Sequence, residues 1–258
     1  MRNLFSLAIV IALMSVPATK ASERLKLATL DWPPYVMSDG SGPNTDTVRE
    51  VFARAGVDVE IEVFPWNRAI RLAAEDPQGI GVYPEYYSED IDAEKKGRRC
   101  LFSRSFGTSP VGFLKRKDSR FSWSAHHDLS RYVIGVVRGY VNEDLLDQMI
   151  LTGEVTAELA ENDFENILKV AARRSDAIVI DKHVYQYLTE NLELIAKVAD
   201  QLEFDEKLLV EHGLHVCFEN TEAGRSARDL FDRSLSEMLS GNGRTSPASE
   251  KSDASSDG

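Results

Sequence analysis

Leu25-Lys-Leu-Ala-Thr-Leu-Asp-Trp-Pro-Pro-Tyr35 is the segment on which the fold turns. Five of its first six residues are apolar or small, which suits a short buried strand. Pro33 and Pro34 carry no backbone N–H and forbid further regular pairing. The strand therefore stops and hands Asp31, Trp32 and Tyr35 to a loop at its C-terminal end. In open α/β sheets that end is where ligands bind. Taken alone, the segment also fits a loop whose aromatics simply fill core.

Upstream, residues 1–21 read as a targeting segment. Arg2 is a short positive start, Leu4 to Val16 is a nearly unbroken apolar run, and Ala18 and Ala21 are small residues suited to cleavage, with Ala21 preferred. The run is too short to span a bilayer comfortably. These features predict an exported, periplasmic chain without membrane insertion, expected to be a monomer.

Downstream, strand and helix patterns alternate. Strands are predicted at 25–30, 57–64, 80–83, 100–103, 111–116, 132–137, 155–159, 177–180 and 214–218. Helices are predicted at 44–55, 66–74, 142–151, 163–173, 183–189 and 223–239, while 192–210 is ambiguous. Such alternation implies an α/β fold with helices flanking the sheet. Two strand–helix series start at Leu25 and Tyr132, so two lobes are expected. The first lobe covers 22–109. The crossing strands and second lobe cover 110–218, a C-terminal helix at 219–240 returns to the first lobe, and 241–258, rich in Ser, Gly and Asp, reads as disordered.

The chain has 30 basic and 42 acidic side chains; without Arg2 and Lys20 the balance is 28 to 42, a net charge of −14. Nothing here offers an electrostatic footprint for nucleic acid. Cys100 and Cys217 lie too far apart in sequence for a metal motif; they are either two buried thiols or, in an exported chain, a disulfide. No cofactor motif is present, and the adjacent His126 and His127 read as a solvated loop rather than metal ligands.

Residues suited to binding are more plentiful. Phe64-Pro-Trp-Asn-Arg68 places the flat indole of Trp66 and the planar fork of Arg68 at a helix start. Tyr83-Pro-Glu-Tyr-Tyr87 places phenols at a strand end, with Tyr83 and Tyr86 the candidates. Ile134-Gly-Val-Val-Arg-Gly-Tyr140 reads as a strand, a glycine turn and a helix whose free N–H groups would attract an anion, with Arg138 and Tyr140 beside it. Asp181 ends the apolar strand 177–180, where it could meet a ligand ammonium or cap the next helix.

In this order, L-A-T-L-D-W-P-P-Y, F-P-W-N-R, Y-P-E-Y-Y, L-F-S-R-S-F, I-G-V-V-R-G and S-D-A-I-V-I-D resemble the periplasmic solute-binding proteins of the amino-acid-binding type (family 3) that serve ABC importers. The resemblance spans Leu25 to Leu239. It implies a two-lobe periplasmic-binding-protein-like fold, joined by two crossing strands that include Ser109–Lys117 and Gly213–Asn220. It also implies a ligand in the inter-lobe cleft and an inner-membrane ABC permease as partner. By the same resemblance, Trp32 or Tyr35 and Trp66 are aromatic walls, Asp181 meets an α-ammonium, and the helix start at Gly139 and Tyr140 meets an α-carboxylate. Two departures stand out. Tyr87-Ser-Glu-Asp90 has acids where the family carries its carboxylate-gripping arginine, with Arg68, Arg98 and Arg99 as the out-of-register substitutes. Tyr140 replaces a small hydroxyl residue. The expected function is capture of a small polar ligand, amino-acid-like or a related amine or carboxylate, without catalysis. The alternatives are a sensory or accessory binding protein for a membrane partner, and a dehydratase-type enzyme on the same fold.

Overall fold

The computed structural model describes residues 25–242. The expected targeting segment and its expected cleavage near Ala21 lie outside the described residues. Of the tail expected at 241–258, residues 241 and 242 close the last helix and the rest lies outside as well.

Nine strands form one sheet. In chain order they are β1 (Leu25–Thr29), β2 (Val59–Val63), β3 (Gly79–Tyr86), β4 (Cys100–Phe102), β5 (Gly107–Arg116), β6 (Val133–Val137), β7 (Thr156–Ala160), β8 (Ala177–Asp181) and β9 (Leu202–Glu219). Their spatial order is β2-β1-β3-β9-β5-β8-β6-β7, with β4 beside β9. The outer trios β2-β1-β3 and β8-β6-β7 are parallel, as βα units require. Between them, β5 and β9 run antiparallel to each other and to the trios. The helices are α1 (Pro43–Arg54), α2 (Trp66–Glu75), α3 (Asp144–Leu151), α4 (Asp163–Ala171), α5 (Lys182–Asn191), α6 (Glu193–Ala199) and α7 (Glu222–Asn242).

Each half has its own apolar centre. In the first, Leu27 of β1, Val48 and Phe52 of α1, and Phe218 of β9 pack with Ala227, Phe231 and Leu235 of α7. The rings of Phe52, Phe218 and Phe231 sit 5.4–6.4 Å apart. Each buried phenylalanine contributes about 1.5–3 kcal/mol. In the second half, Phe113, Leu129, Ile134, Val136, Leu146 and Val179 do the same.

Three local outcomes differ from the sequence pattern. β3 does not stop at Tyr83; it continues to Tyr86, and the register shift between Val82 and Glu85 accommodates Pro84, which has no N–H to offer the ladder. The segment 192–210 resolves into α6 and the first part of β9. Finally, α3 begins at Asp144, so Gly139 and Tyr140 lie in the turn before it and not at a helix start.

Cys100 of β4 and Cys217 of β9 form a disulfide, with 4.8 Å between their Cα atoms. Among the described residues, no helix is long and apolar enough to cross a membrane.

Candidate functional site

A cleft of about 720 Å³ opens where the C-terminal ends of the parallel strands of both halves face each other. The first half supplies Asp31, Trp32 and Met37 from the loop after β1, and Phe64, Pro65 and Trp66 from the junction of β2 and α2. The second half supplies Tyr140 after β6, Glu161, Asn162, Asp163 and Phe164 between β7 and α4, and Tyr187 of α5. A small recess shared by Trp32, Trp66 and Tyr140 continues inward to Glu85 and Tyr86.

The prolines set this geometry. Pro65 precedes the first helical residue of α2, and its fixed φ suits a helix start, so Trp66 leaves the strand end and turns at once into the cleft. Its indole N–H donates to the Gly139 carbonyl across the cleft at 3.1 Å, and the Asn67 carboxamide donates to the Arg138 carbonyl at 3.3 Å. Gly139 has φ +83°, and a Cβ there would lie 2.2 Å from Asn67 Oδ1. Glycine adopts this φ without strain, and a side chain here would displace the Asn67 carboxamide from its bond to Arg138.

Behind the cleft wall runs a chain of hydrogen bonds. Trp32 stacks on Tyr35, ring centres 4.5 Å apart. The Tyr35 hydroxyl donates to Asp181 Oδ2 at 3.0 Å and lies 2.9 Å from His183 Nδ1. A phenol has one proton to give, so His183 Nδ1 carries the hydrogen in the second bond. Ser109 donates to the same Asp181 oxygen, and the Tyr86 hydroxyl lies 2.6 Å from Ser109. Asp181 Oδ1 accepts from the backbone N–H groups of His183 and Val184, capping α5.

The candidate residues therefore separate. Asp31, Trp32, Trp66 and Tyr140 line the cleft, and Tyr86 lines its recess. Tyr35 backs Trp32. Asp181 is buried behind it, with both oxygens committed to protein donors, and it is not among the lining residues. Tyr83 is wholly buried in the first core, where its hydroxyl pairs with Thr45 at 2.8 Å and burial pushes its pKa up to about 12. Arg68 is exposed and lies over the Phe64 ring. Arg138 is exposed and bonds Glu161 at 3.0 Å.

The two features that would grip a carboxylate are not in the cleft. Arg99 is held by Glu85 at 2.5 Å, and neither Arg98 nor Arg68 lines it. The first turn of α3 is capped by Glu143, whose carboxylate accepts from Leu146 N at 3.0 Å. The Arg138 amide donates to Ala160 and the Tyr140 amide to Val137.

The sequence pattern did not single out Asp163. It is the first residue of α4, after the Asn162 cap, and is buried at 7% exposure while lining the cleft. Its carboxyl is pushed up to about 7, first by burial and then by the negative charge of Asp181; the Tyr140 hydroxyl, at 3.4 Å, and the Trp32 indole oppose the shift. An acid in a first helical turn is ordinary, because it complements the helix dipole. The usable signal was its place at the C-terminal end of β7, the same position that marked Asp31. Partial desolvation also raises the carboxyl of Asp31, which remains exposed.

No family model matches the sequence, and no curated protein matches it. Solved structures do resemble its fold. Holo arginine-binding protein from T. maritima is 17% identical, with a TM-score of 0.65 over 84% of this chain and 91% of that one. A histidine kinase sensor domain with similarity to periplasmic binding proteins is 15% identical, with a TM-score of 0.70 over 85% and 91%. The substrate-binding protein of an amino acid ABC transporter is 17% identical, with a TM-score of 0.64 over 85% and 94%. The chain thus has the fold of the periplasmic binding proteins.

Proposed function

We propose that this protein is an exported solute-binding protein that closes its two halves around a small polar ligand and presents it to an inner-membrane ABC permease. The observation that carries this is the cleft itself, whose aromatic and acidic walls come from both halves, bridged by Trp66 and Asn67. A ligand held between two halves stabilises their closed arrangement, which is how capture becomes a shape that a partner can sense. The fold's likeness to an arginine-binding protein and to an ABC transporter's substrate-binding protein supports it. The likeness to a kinase sensor domain favours a second reading, in which the closed form reports ligand to a membrane receptor. Neighbouring genes for a permease or for a receptor separate the two.

The direct test is a thermal-shift screen of amino acids, amines and small carboxylates. A ligand at a hundred times its Kd adds about 2.7 kcal/mol of stability, a rise of several degrees. If no compound of these classes moves the midpoint, the binding reading fails.

A further inference from the structure

We propose that the cleft is built for an organic cation that carries no carboxylate, with Asp163 as the counter-charge to its amine or guanidinium; this rests on the solute-binding reading above. The charged residues lining the cleft are Asp31, Glu161 and Asp163, and the lining contains no Lys, Arg or His. Asp163 is buried and lines this space, its Oδ2 accepts only a long bond from the Tyr140 hydroxyl at 3.4 Å, and among the described residues no cationic side chain forms an ion pair with it. A carboxylate removed from water without a positive partner is costly, and an incoming ammonium or guanidinium removes that cost.

The remaining lining fits the same ligand. Trp32, Trp66, Phe64, Tyr140, Phe164 and Tyr187 contribute aromatic rings from both halves. Ring faces attract cations, most strongly once water is excluded, and they offer nothing to an anion. A ligand carboxylate would meet these rings and the acids Asp31 and Asp163, with Arg138 already paired to Glu161, the nearby Arg99 already held by Glu85 and the α3 terminus already capped by Glu143. An amino acid and its decarboxylated counterpart share the cationic end and differ only in the group this cleft does not accommodate. The site therefore discriminates against the amino acid by repulsion as well as by a missing contact.

Matched pairs test this: agmatine against arginine, and putrescine against ornithine, by isothermal calorimetry at pH 8, with choline as a quaternary probe and succinate as an anion. The inference expects at least one of agmatine, putrescine or choline to bind. It expects any binding amine to do so at least tenfold more tightly than its parent amino acid, and succinate to give no heat. Asp163→Asn, which keeps the shape and removes the charge, is expected to weaken the binding cation at least tenfold with the far-ultraviolet circular dichroism unchanged. Tighter binding of an amino acid or of succinate would overturn the inference and leave the solute-binding reading standing. Undiminished affinity in Asp163→Asn would overturn it in the same way. Silence from every compound here and in the wider thermal-shift screen would overturn both.

Discussion

At the scale of single residues, Asp181 takes one of the two roles its position offers, that of cap to α5. Asp181 ends a buried strand in the place where a ligand ammonium would be met, yet Tyr35, Ser109 and two α5 amides already fill its oxygens. Asp181→Ala is expected to destabilise the fold by about 2–4 kcal/mol in urea unfolding, from the lost cap and the orphaned hydroxyls. A midpoint equal to that of the wild type would show that those bonds are dispensable. Asp163 carries a pH signature instead. Burial and the charge of Asp181 push its carboxyl up to about 7 in the folded chain, from an ordinary value of about 3.9 in the unfolded one. Between these values the folded state holds a proton that the unfolded state has lost. This contribution therefore weakens stability as pH rises through the window, and levels off above about 7. The groups facing it are Tyr140 and Trp32, which oppose the shift, and Asp181, which adds to it; Tyr86 also lies within reach of its charge. Wild type is expected to lose stability between pH 5 and pH 8 relative to Asp163→Asn, read as the difference in urea midpoints. Cation affinity should run the other way, rising with pH to about 7, because only the carboxylate pairs with the ligand. None of this was legible in sequence, where Asp163 is one of 42 acidic residues and its burial depends on the opposite half of the molecule.

At the scale of elements, the alternation of strand and helix was readable because each βα unit announces itself locally. Gly56 stops α1, Pro65 starts α2, and the apolar run Ala177–Ile180 forms β8. β9 was the exception. Its last part reads as a strand, but Leu202 to Glu211 groups its charged and apolar residues without a period of two, on a strand that leaves much of its surface in water, so the pattern does not separate strand from helix. What fixes it is pairing with β5, a contact made far away in sequence. The α3 boundary was misplaced for a related reason: Asn142 and Glu143 look like an early helical turn, but Glu143 serves as the cap. The disulfide joins two such distant elements, β4 and β9, across 117 residues. Closing a loop of that length restricts the unfolded chain by roughly 4–5 kcal/mol on a chain-entropy estimate. Cys100→Ala/Cys217→Ala is expected to lower the unfolding free energy by several kcal/mol in urea while leaving the cleft able to bind. Equal stability of the double variant would show that the cross-link adds nothing.

At the scale of the whole molecule, β5 and β9 link two halves that otherwise meet through a few polar contacts and the aromatic walls. Gly139 makes one of these contacts, with its positive φ and the Asn67 side chain where a Cβ would stand. Gly139→Ala strains the turn and pushes the halves apart, so the closed arrangement is less populated and the apparent Kd rises accordingly. The expected result is ligand affinity reduced about fivefold or more, measured by calorimetry, with each half's core intact by circular dichroism. Affinity equal to wild type would mean that closure does not require this approach. The cleft's walls were partly foreseen because strand ends followed by proline point outward by rule, as with Trp32 and Trp66. The absence of cationic side chains from the lining could only be read once both halves were in place.

The three tryptophans divide unevenly between these regions. Trp32 and Trp66 face the cleft, whereas Trp123 packs in the second core against Phe113, with the Lys207 ammonium 3.9 Å above its ring. Replacing Trp123 with phenylalanine would leave a chain whose tryptophan emission, excited selectively over that of its eight tyrosines, arises solely at the binding cleft. The wavelength and quenching of that light would then follow the Trp66 indole as it forms or releases its bond to Gly139. The molecule thus carries its own optical gauge of occupancy and needs no attached dye.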